Sequence, residues 1–358
     1  MEKYFAIDAV EPAMRKTTAF FSGPSLFRKW AKLAVLMAVF MLLSGGGGGN
    51  FNYSMPDSSS TGASAGNEVA TQQINDFVGW VSGIDLGVIV LAIVFGLILI
   101  FIIGTILNVV KYTVMFSILN GITTSDVKIF GYASKYIGRS ISLALFDLLM
   151  GIITLPFSLL MAAGILGIIM MFFSFIPVLS EIVKVIPYSG VLTNPVFIIA
   201  ALAISIPVLL FFSIIHYIKG QFGFYMMYSR NVSSAFEGFK RGVSIVMRNK
   251  LQAIMLLFIQ IVLSIVLGII SFIIALIVAI PFALVGIAVV LGLLFLGAAP
   301  GLALAAFIIG IVVLLPLAII AFYAISFALS PIQVFFFYYN LEVLENFMGA
   351  GAGRQKSP

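Results

Sequence analysis

The stretch that decides the fold is 251-LQAIMLLFIQIVLSIVLGIISFIIALIVAIPFALVGIAVVLGLLFLG-297, which contains no charged residue. One bilayer crossing needs roughly 20 apolar residues, and this run is more than twice that long. Soluble domains carry charge on about a quarter of their residues. Here Asp, Glu, Lys and Arg make up 9% of 358 residues and hydrophobic residues 62%, with a mean hydropathy of +1.21. The composition leaves too little polar surface to coat a water-soluble globule. The chain reads as all-α, a polytopic helical membrane protein forming one membrane domain over 1–358.

Outward from that run, further apolar stretches fall at about 30–45, 86–110, 141–179, 195–218 and 302–337. The runs at 141–179 and 251–297 exceed one straight crossing and contain breakers: Pro156, Gly164 and Pro177 in one, Pro281, Gly286 and Gly292 in the other. Lys and Arg arbitrate, because cytoplasmic loops carry an excess of them. Six crossings with both termini cytoplasmic put all but Lys184 of the 19 Lys and Arg residues inside. Splitting the first long run into two crossings would expel the whole 219–250 basic cluster. Splitting the second would expel only Arg354 and Lys356, and that alternative stays open. Surface or re-entrant pieces are expected near 164–179 and 281–297. The 45–85 segment has acidic residues and no Lys or Arg, as an extracytoplasmic flexible loop would, and 348–358 reads as a disordered cytoplasmic tail. Ala31–Leu43 is followed by no small-x-small cleavage site, so it reads as a retained first helix rather than a signal peptide.

A faint internal repeat organises the runs. Aromatic or Met patches end in Asn120, Asn231 and Asn340, and at an offset of 111 Met115 meets Met226, Asp126 meets Glu237, Gly131 meets Gly242 and Arg139 meets Lys250. The unit is a cytoplasmic interfacial helix plus a transmembrane hairpin, used three times in the same direction over about 3–119, 120–230 and 231–340. Such parallel repeats are related by an axis along the membrane normal.

The composition also excludes chemistry. Without cysteine there are no disulfides or thiolate sites, and a single histidine, His216, argues against metal centres and Ser-His-Asp triads. No cofactor, no metal and no enzymatic activity are expected. Gly45–Gly49 follows no strand and is not followed by Lys-Ser/Thr, so it is not a phosphate loop. The net charge of +6 sits beside apolar runs and reads as topology, not as a nucleic-acid surface.

Few residues are left to carry function. Asp147 is the one carboxylate inside an apolar run. Intramembrane carboxylates face a bundle interior or a cavity, so it is expected to face protein, either gluing helices or serving an ion or proton site. Gln260 lies at nearly the corresponding depth of the next repeat, hinting at a shared polar layer. Trp30, His216, Tyr217, Lys219 and Lys111 have the composition of interfacial anchors. Arg28, Lys29, Lys32, Lys135, Arg139, Lys240, Arg241, Arg248 and Lys250 lie on basic amphipathic stretches suited to lipid headgroups of an anionic inner leaflet.

The stretches Ala9-Val10-Glu11-Pro12-Ala13, Phe27-Arg28-Lys29-Trp30-Ala31-Lys32-Leu33 and Gly45–Gly49 with Asn50-Phe51-Asn52 resemble an uncharacterised family of prokaryotic, largely archaeal, multi-pass membrane proteins. The helix and loop rhythm of the remainder is also similar to the membrane domain fused to some glycerophosphodiester phosphodiesterases, whose catalytic barrel has no counterpart in this sequence. The resemblance implies class and location in the cell membrane, and carries no catalytic residue. Two functional expectations follow. One is a non-enzymatic membrane component that organises the bilayer or a homo-oligomeric or protein assembly through its basic interfacial helices, with membrane lipids as partners. The other is a transporter or channel for a hydrophobic or lipid-like substrate along the repeat axis.

Overall fold

Residues 4–22, 26–44, 86–128, 131–175, 189–297 and 302–353 are described by a computed structural model; among them there are helices and no strands. The N-terminal part comprises α1 (Phe5–Asp8), α2 (Val10–Phe20) and α3 (Leu26–Leu43). It is followed by α4 (Leu86–Thr124), α5 (Ala133–Ser174), the single turn α6 (Ser189–Leu192) and α7 (Pro195–Ile218). A π-helical turn, Lys219–Gly223, joins α7 to α8 (Phe224–Ser229). The chain ends with α9 (Ala235–Arg248), α10 (Lys250–Gly297) and α11 (Ala303–Gly353). Among the described residues, five helical segments, within α4, α5, α7–α8, α10 and α11, are long and apolar enough to cross a membrane. The first apolar segment, α3, has only 18 residues and carries Arg28, Lys29 and Lys32.

The breakers do not break. α5 runs through Pro156 and Gly164 to Ser174, and α10 runs through Pro281, Gly286 and Gly292 to Gly297. The surface or re-entrant pieces expected at 281–297 and in the described part of 164–179 are therefore continuous helix. In hydrocarbon a helix is the one open segment that satisfies its own backbone. A proline removes a single donor, and its neighbours can absorb that loss. The described part of the expected tail is helical, since α11 continues to Gly353. The 45–85 loop and 354–358 lie outside the described residues.

The core sits at one end of the bundle. It is built from the C-terminal part of α4 (Phe116, Leu119, Ile122), the start of α5 (Tyr136, Leu143), the π turn and α8 (Phe222, Phe224, Met227), and the end of α11 (Val334, Tyr339, Phe347), with α3 (Leu33, Met37) buried among them. Away from this end buried side chains are sparse. There α5 packs against α6 and α7: a Cβ on Gly167 would sit 2.3 Å from the Leu192 carbonyl oxygen of α6 and 2.9 Å from Ile198 of α7, so only glycine allows that approach. Most other apolar side chains of the outer part are exposed, as a lipid-facing surface requires.

Two expectations about the amphipathic stretches change. α1 and α2 run alongside the end of α11: Phe5 of α1 packs edge-on against Phe347 at 5.2 Å and Lys16 of α2 pairs with Glu342, while Trp30 of α3 stacks on Phe327 at 4.3 Å. The Phe5 amide also donates to Gln252 Oε1 of α10 at 3.3 Å, which makes this arm a strap across two helices. The 126–139 stretch, expected as a separate interfacial helix, is a short connection followed by the start of α5. A separate helix would have had to end before the crossing, and Gly138, the one glycine within 133–145, does not stop it: α5 runs straight through. α9 is separate and amphipathic. Its small face, Gly238 and Gly242, lies against the π turn, where a Cβ on Gly238 would meet the Gly223 carbonyl oxygen at 2.9 Å. The Ala235 amide at its first turn is capped from another helix by Ser142 Oγ at 2.8 Å.

Candidate functional site

The π turn organises the polar interior. Asn194 caps α7 by accepting from the Val196 amide at 2.9 Å, with Pro195 at the first helical position, which is where a proline costs no hydrogen bond. At Lys219–Gly223 the helix widens by one residue, a feature that often marks functional positions. Gly223 lets α9 approach to backbone contact there. The side chains of Lys219, Gln221 and Phe222 are all buried. Lys219 and Gln221 leave this turn in different directions and enter two separate clusters.

Lys219 is 1% exposed. Its ammonium donates to Asp147 Oδ1 and, at 2.8 Å, to the Tyr112 hydroxyl. The Tyr112 hydroxyl in turn donates to Asp147 Oδ2. Each of the three groups is therefore bonded to the other two, across α4, α5 and the π turn. His216 Nδ1 lies 3.8 Å from Asp147 Oδ1 but its side chain is 63% exposed, on the outer side of the cluster. Lys219, expected as an interfacial anchor, is instead a buried countercharge, because Asp147 meets it inside the bundle. The Asp147 side chain is 13% exposed. The cluster is closed: both carboxylate oxygens and the ammonium are committed, and none of the three residues lines the cavity described next.

Gln221 enters the second cluster. Its Nε2 donates to Asn340 Oδ1 at 2.7 Å, Gln260 Nε2 donates to the same oxygen at 3.3 Å, and Asn340 Nδ2 donates to the Tyr225 hydroxyl at 3.0 Å. The Tyr217 hydroxyl donates to Gln260 Oε1 at 2.6 Å. These groups line a cavity of about 430 Å³ among α3, α4, α7–α8, α10 and α11, within the usual range of small-molecule pockets, about 300–1,000 Å³. Its remaining wall is apolar, including Met115, Leu257, Ile261 and Phe336, and none of its lining residues is charged. Ile261 and Ile265, on the α10 wall, are 51% and 58% exposed, so the cavity communicates with the bundle exterior on that side. α7 packs along α5, and α10 packs along α11, whereas α7 and α10 are not packed against each other. The Tyr217–Gln260 bond is the polar bridge across that gap. One lining group is left over: Gln333 is 8% exposed and its Oε1 is buried without a hydrogen-bond partner.

The other expected site residues divide between surface and packing. Arg28, Lys135, Lys240, Arg241, Arg248 and Lys250 are exposed, as headgroup contacts require, and Arg241 pairs with Glu237 one turn away. Lys29, Lys32 and Lys111 are partly buried, with the Lys111 ammonium 5.9 Å from the Tyr112 ring. Arg139 is half-buried and is spent on protein, donating to Asn231 Oδ1 and, at 3.2 Å, to the Met227 carbonyl. Trp30 and Tyr217, expected as anchors, point inward. The indole Nε1 donates to the Phe327 carbonyl at 2.8 Å, and Tyr217 joins the pocket. Gln260 is brought together with Asn340, but Asp147 and Gln260 do not share one polar layer: each has its own partners. Tyr112, Gln221, Tyr225 and Gln333 were not singled out in the sequence, although polar side chains inside apolar runs were the available signal.

The family of unknown function DUF7544 matches this chain over residues 4–350. The chain belongs to that family. No curated protein and no solved structure matches it.

Proposed function

We propose that this chain is a non-enzymatic integral membrane protein that takes an amphiphile, a lipid or lipid-like molecule, from the bilayer into the cavity beside the π turn. The cavity carries the proposal: it is apolar-walled, polar at one side and open where α7 and α10 part. An amphiphile from the bilayer would enter through such a side opening without crossing water. A scaffold acting only through its basic surfaces has no need of that space, so among the two expectations the lipid-like ligand is the part to keep. In this reading the densely packed end, with the exposed Lys and Arg of α9 and the neighbouring helix ends, sits at the anionic cytoplasmic face. Six crossings arranged as three hairpins, α3 with α4, α5 with α7 and α10 with α11, complete the topology.

The test is photolabelling in nanodiscs with a single-chain amphiphile carrying a diazirine in its tail. Crosslinks should concentrate on peptides covering 257–265 and 333–340. Ile261→Trp, which fills the cavity from an exposed position, should reduce them at least fivefold. Labelling spread evenly over lipid-facing positions such as Leu210, Phe211 and Phe272, and unchanged by Ile261→Trp, refutes the proposal.

A further inference from the structure

Resting on the amphiphile reading of this cavity, we infer that its ligand carries an uncharged head with hydrogen-bonding groups, such as hydroxyls or an amide, and that Gln333 is the residue that receives it. The polar side of the cavity is made of carboxamides and phenols: Gln221, Gln260, Asn340, Tyr217 and Tyr225. Carboxamides offer donors and acceptors together, which matches a hydroxyl or an amide and gives a phosphate or carboxylate no countercharge. The nearest buried cation, Lys219, is two residues from Gln221 along the π turn, but its ammonium is held by Asp147 and Tyr112. An anionic head placed at the carboxamides would be a buried charge without a partner, a far larger cost than burying a hydroxyl that finds its bonds.

The carboxamides also show where the head goes. Asn340 Oδ1 is shared by two donors, its amide nitrogen is bonded to Tyr225, and Gln260 Oε1 accepts from Tyr217. This part of the cavity wall is preorganised. Gln333, one and a half to two helical turns before Asn340 on α11, is the exception. It lines the same cavity, is more than nine-tenths buried and has an Oε1 with no partner. A buried amide oxygen left unbonded is expensive, and a turn of the Gln333 carboxamide toward the cavity would let a hydroxyl or N–H brought by the ligand satisfy it. Sites that expect a particular hydrogen-bonding group discriminate strongly against analogues lacking it, because their own polar atoms are then left unpaired.

The experiment is competition against a diazirine-tailed monoacylglycerol in nanodiscs, with chain-matched competitors differing only in the head: monoacylglycerol, N-acylethanolamide, fatty acid and lysophosphatidic acid. The two uncharged heads should compete about tenfold or more better than the two anionic ones, the discrimination expected of one or two satisfied hydrogen bonds. Gln333→Leu should retain tail labelling at 257–265 while reducing that preference about threefold to tenfold, the loss of one hydrogen bond to the uncharged heads, with the charge penalty on the anionic heads left in place. Equal or stronger competition by the anionic heads overturns the inference and leaves the pocket reading standing. A preference that survives Gln333→Leu unchanged overturns the role of Gln333. No labelling of the cavity by the uncharged probe overturns the pocket reading and the inference with it.

Discussion

Replacing Lys219 by Met keeps the length of the side chain and removes its charge from a site where Lys219 is 2% and Asp147 13% exposed at the side chain. Asp147 then keeps the Tyr112 hydroxyl but loses its countercharge, inside the bundle, with only the exposed His216 near it. Breaking a buried pair from one side costs about 3–5 kcal/mol in soluble proteins. In membrane proteins the unfolded reference also finds partners, and interhelical polar interactions average nearer 0.6 kcal/mol. The expected loss is therefore about 2–4 kcal/mol, between these limits and toward the upper one, because what is left behind is a charge. Asp147→Leu should cost a similar amount by stranding Lys219, whereas Asp147→Asn, which can still accept from Lys219 and Tyr112, should cost less. The decisive variant is the triple Tyr112→Phe, Asp147→Leu, Lys219→Met. It removes every member of the closed cluster and should recover to within about 1 kcal/mol of the parent, since well-packed apolar replacements of a buried ionic cluster are often neutral or stabilising. Reversible unfolding in mixed detergent and SDS micelles, followed by tryptophan fluorescence, measures each step. If the triple variant is as unstable as the sum of the single losses, the cluster is not a self-contained ionic clasp and this reasoning fails.

Two further outcomes follow from packing and charge. Gly238→Ala places a Cβ 2.9 Å from the Gly223 carbonyl oxygen and should destabilise by about 1–3 kcal/mol, the usual range for overpacking. Gly349→Ala, with nothing near its Cβ, is the control expected to show no loss in the same unfolding assay. In the proposed topology Ser60→Cys labels with a membrane-impermeant maleimide from outside intact cells and Ser234→Cys labels only after permeabilisation; the reverse pattern refutes it.

The class of the fold was legible because it rests on one-body properties. A charge-free run cannot be hidden in water, and helices in lipid must be long, so 251–297 and 302–337 declare themselves. The helix breaks were misread because glycine and proline signals are calibrated on water, where a released backbone group is resolvated and the chain turns. In α5 and α10 that exit is missing and the helix carries on. Lys219 was misread for a different reason. Its local context, next to Tyr217 and at the end of an apolar run, is that of an interfacial anchor, and the residue that decides otherwise, Asp147, lies 72 positions earlier. Gln260 was visible as a polar residue in an apolar run, while Asn340 was visible only as a mark of the repeat. Their meeting is a product of how α10, α11 and the π turn pack. The cavity is a further step removed, being a volume that several helices leave unfilled, and no residue type announces it.

The two polar clusters constrain each other through the π turn. Were Lys219 unpaired, a cation would stand two residues from Gln221, beside an apolar-walled cavity, and would draw anionic heads or water into it. Asp147 and Tyr112 hold that charge on the opposite side of the turn, so the polar wall facing α10 and α11 can consist of neutral groups, carboxamides and hydroxyls. The wide turn and its glycine are what let α9 back the turn closely enough to bury both clusters. The bundle thus keeps the Lys219–Asp147 ion pair for closure and its neutral polar groups for the cavity, while exposed basic residues lie on α9 and the neighbouring helix ends. A neutral cavity beside a neutralised charge is the arrangement under which an amphiphile can leave the bilayer sideways without bringing a counterion.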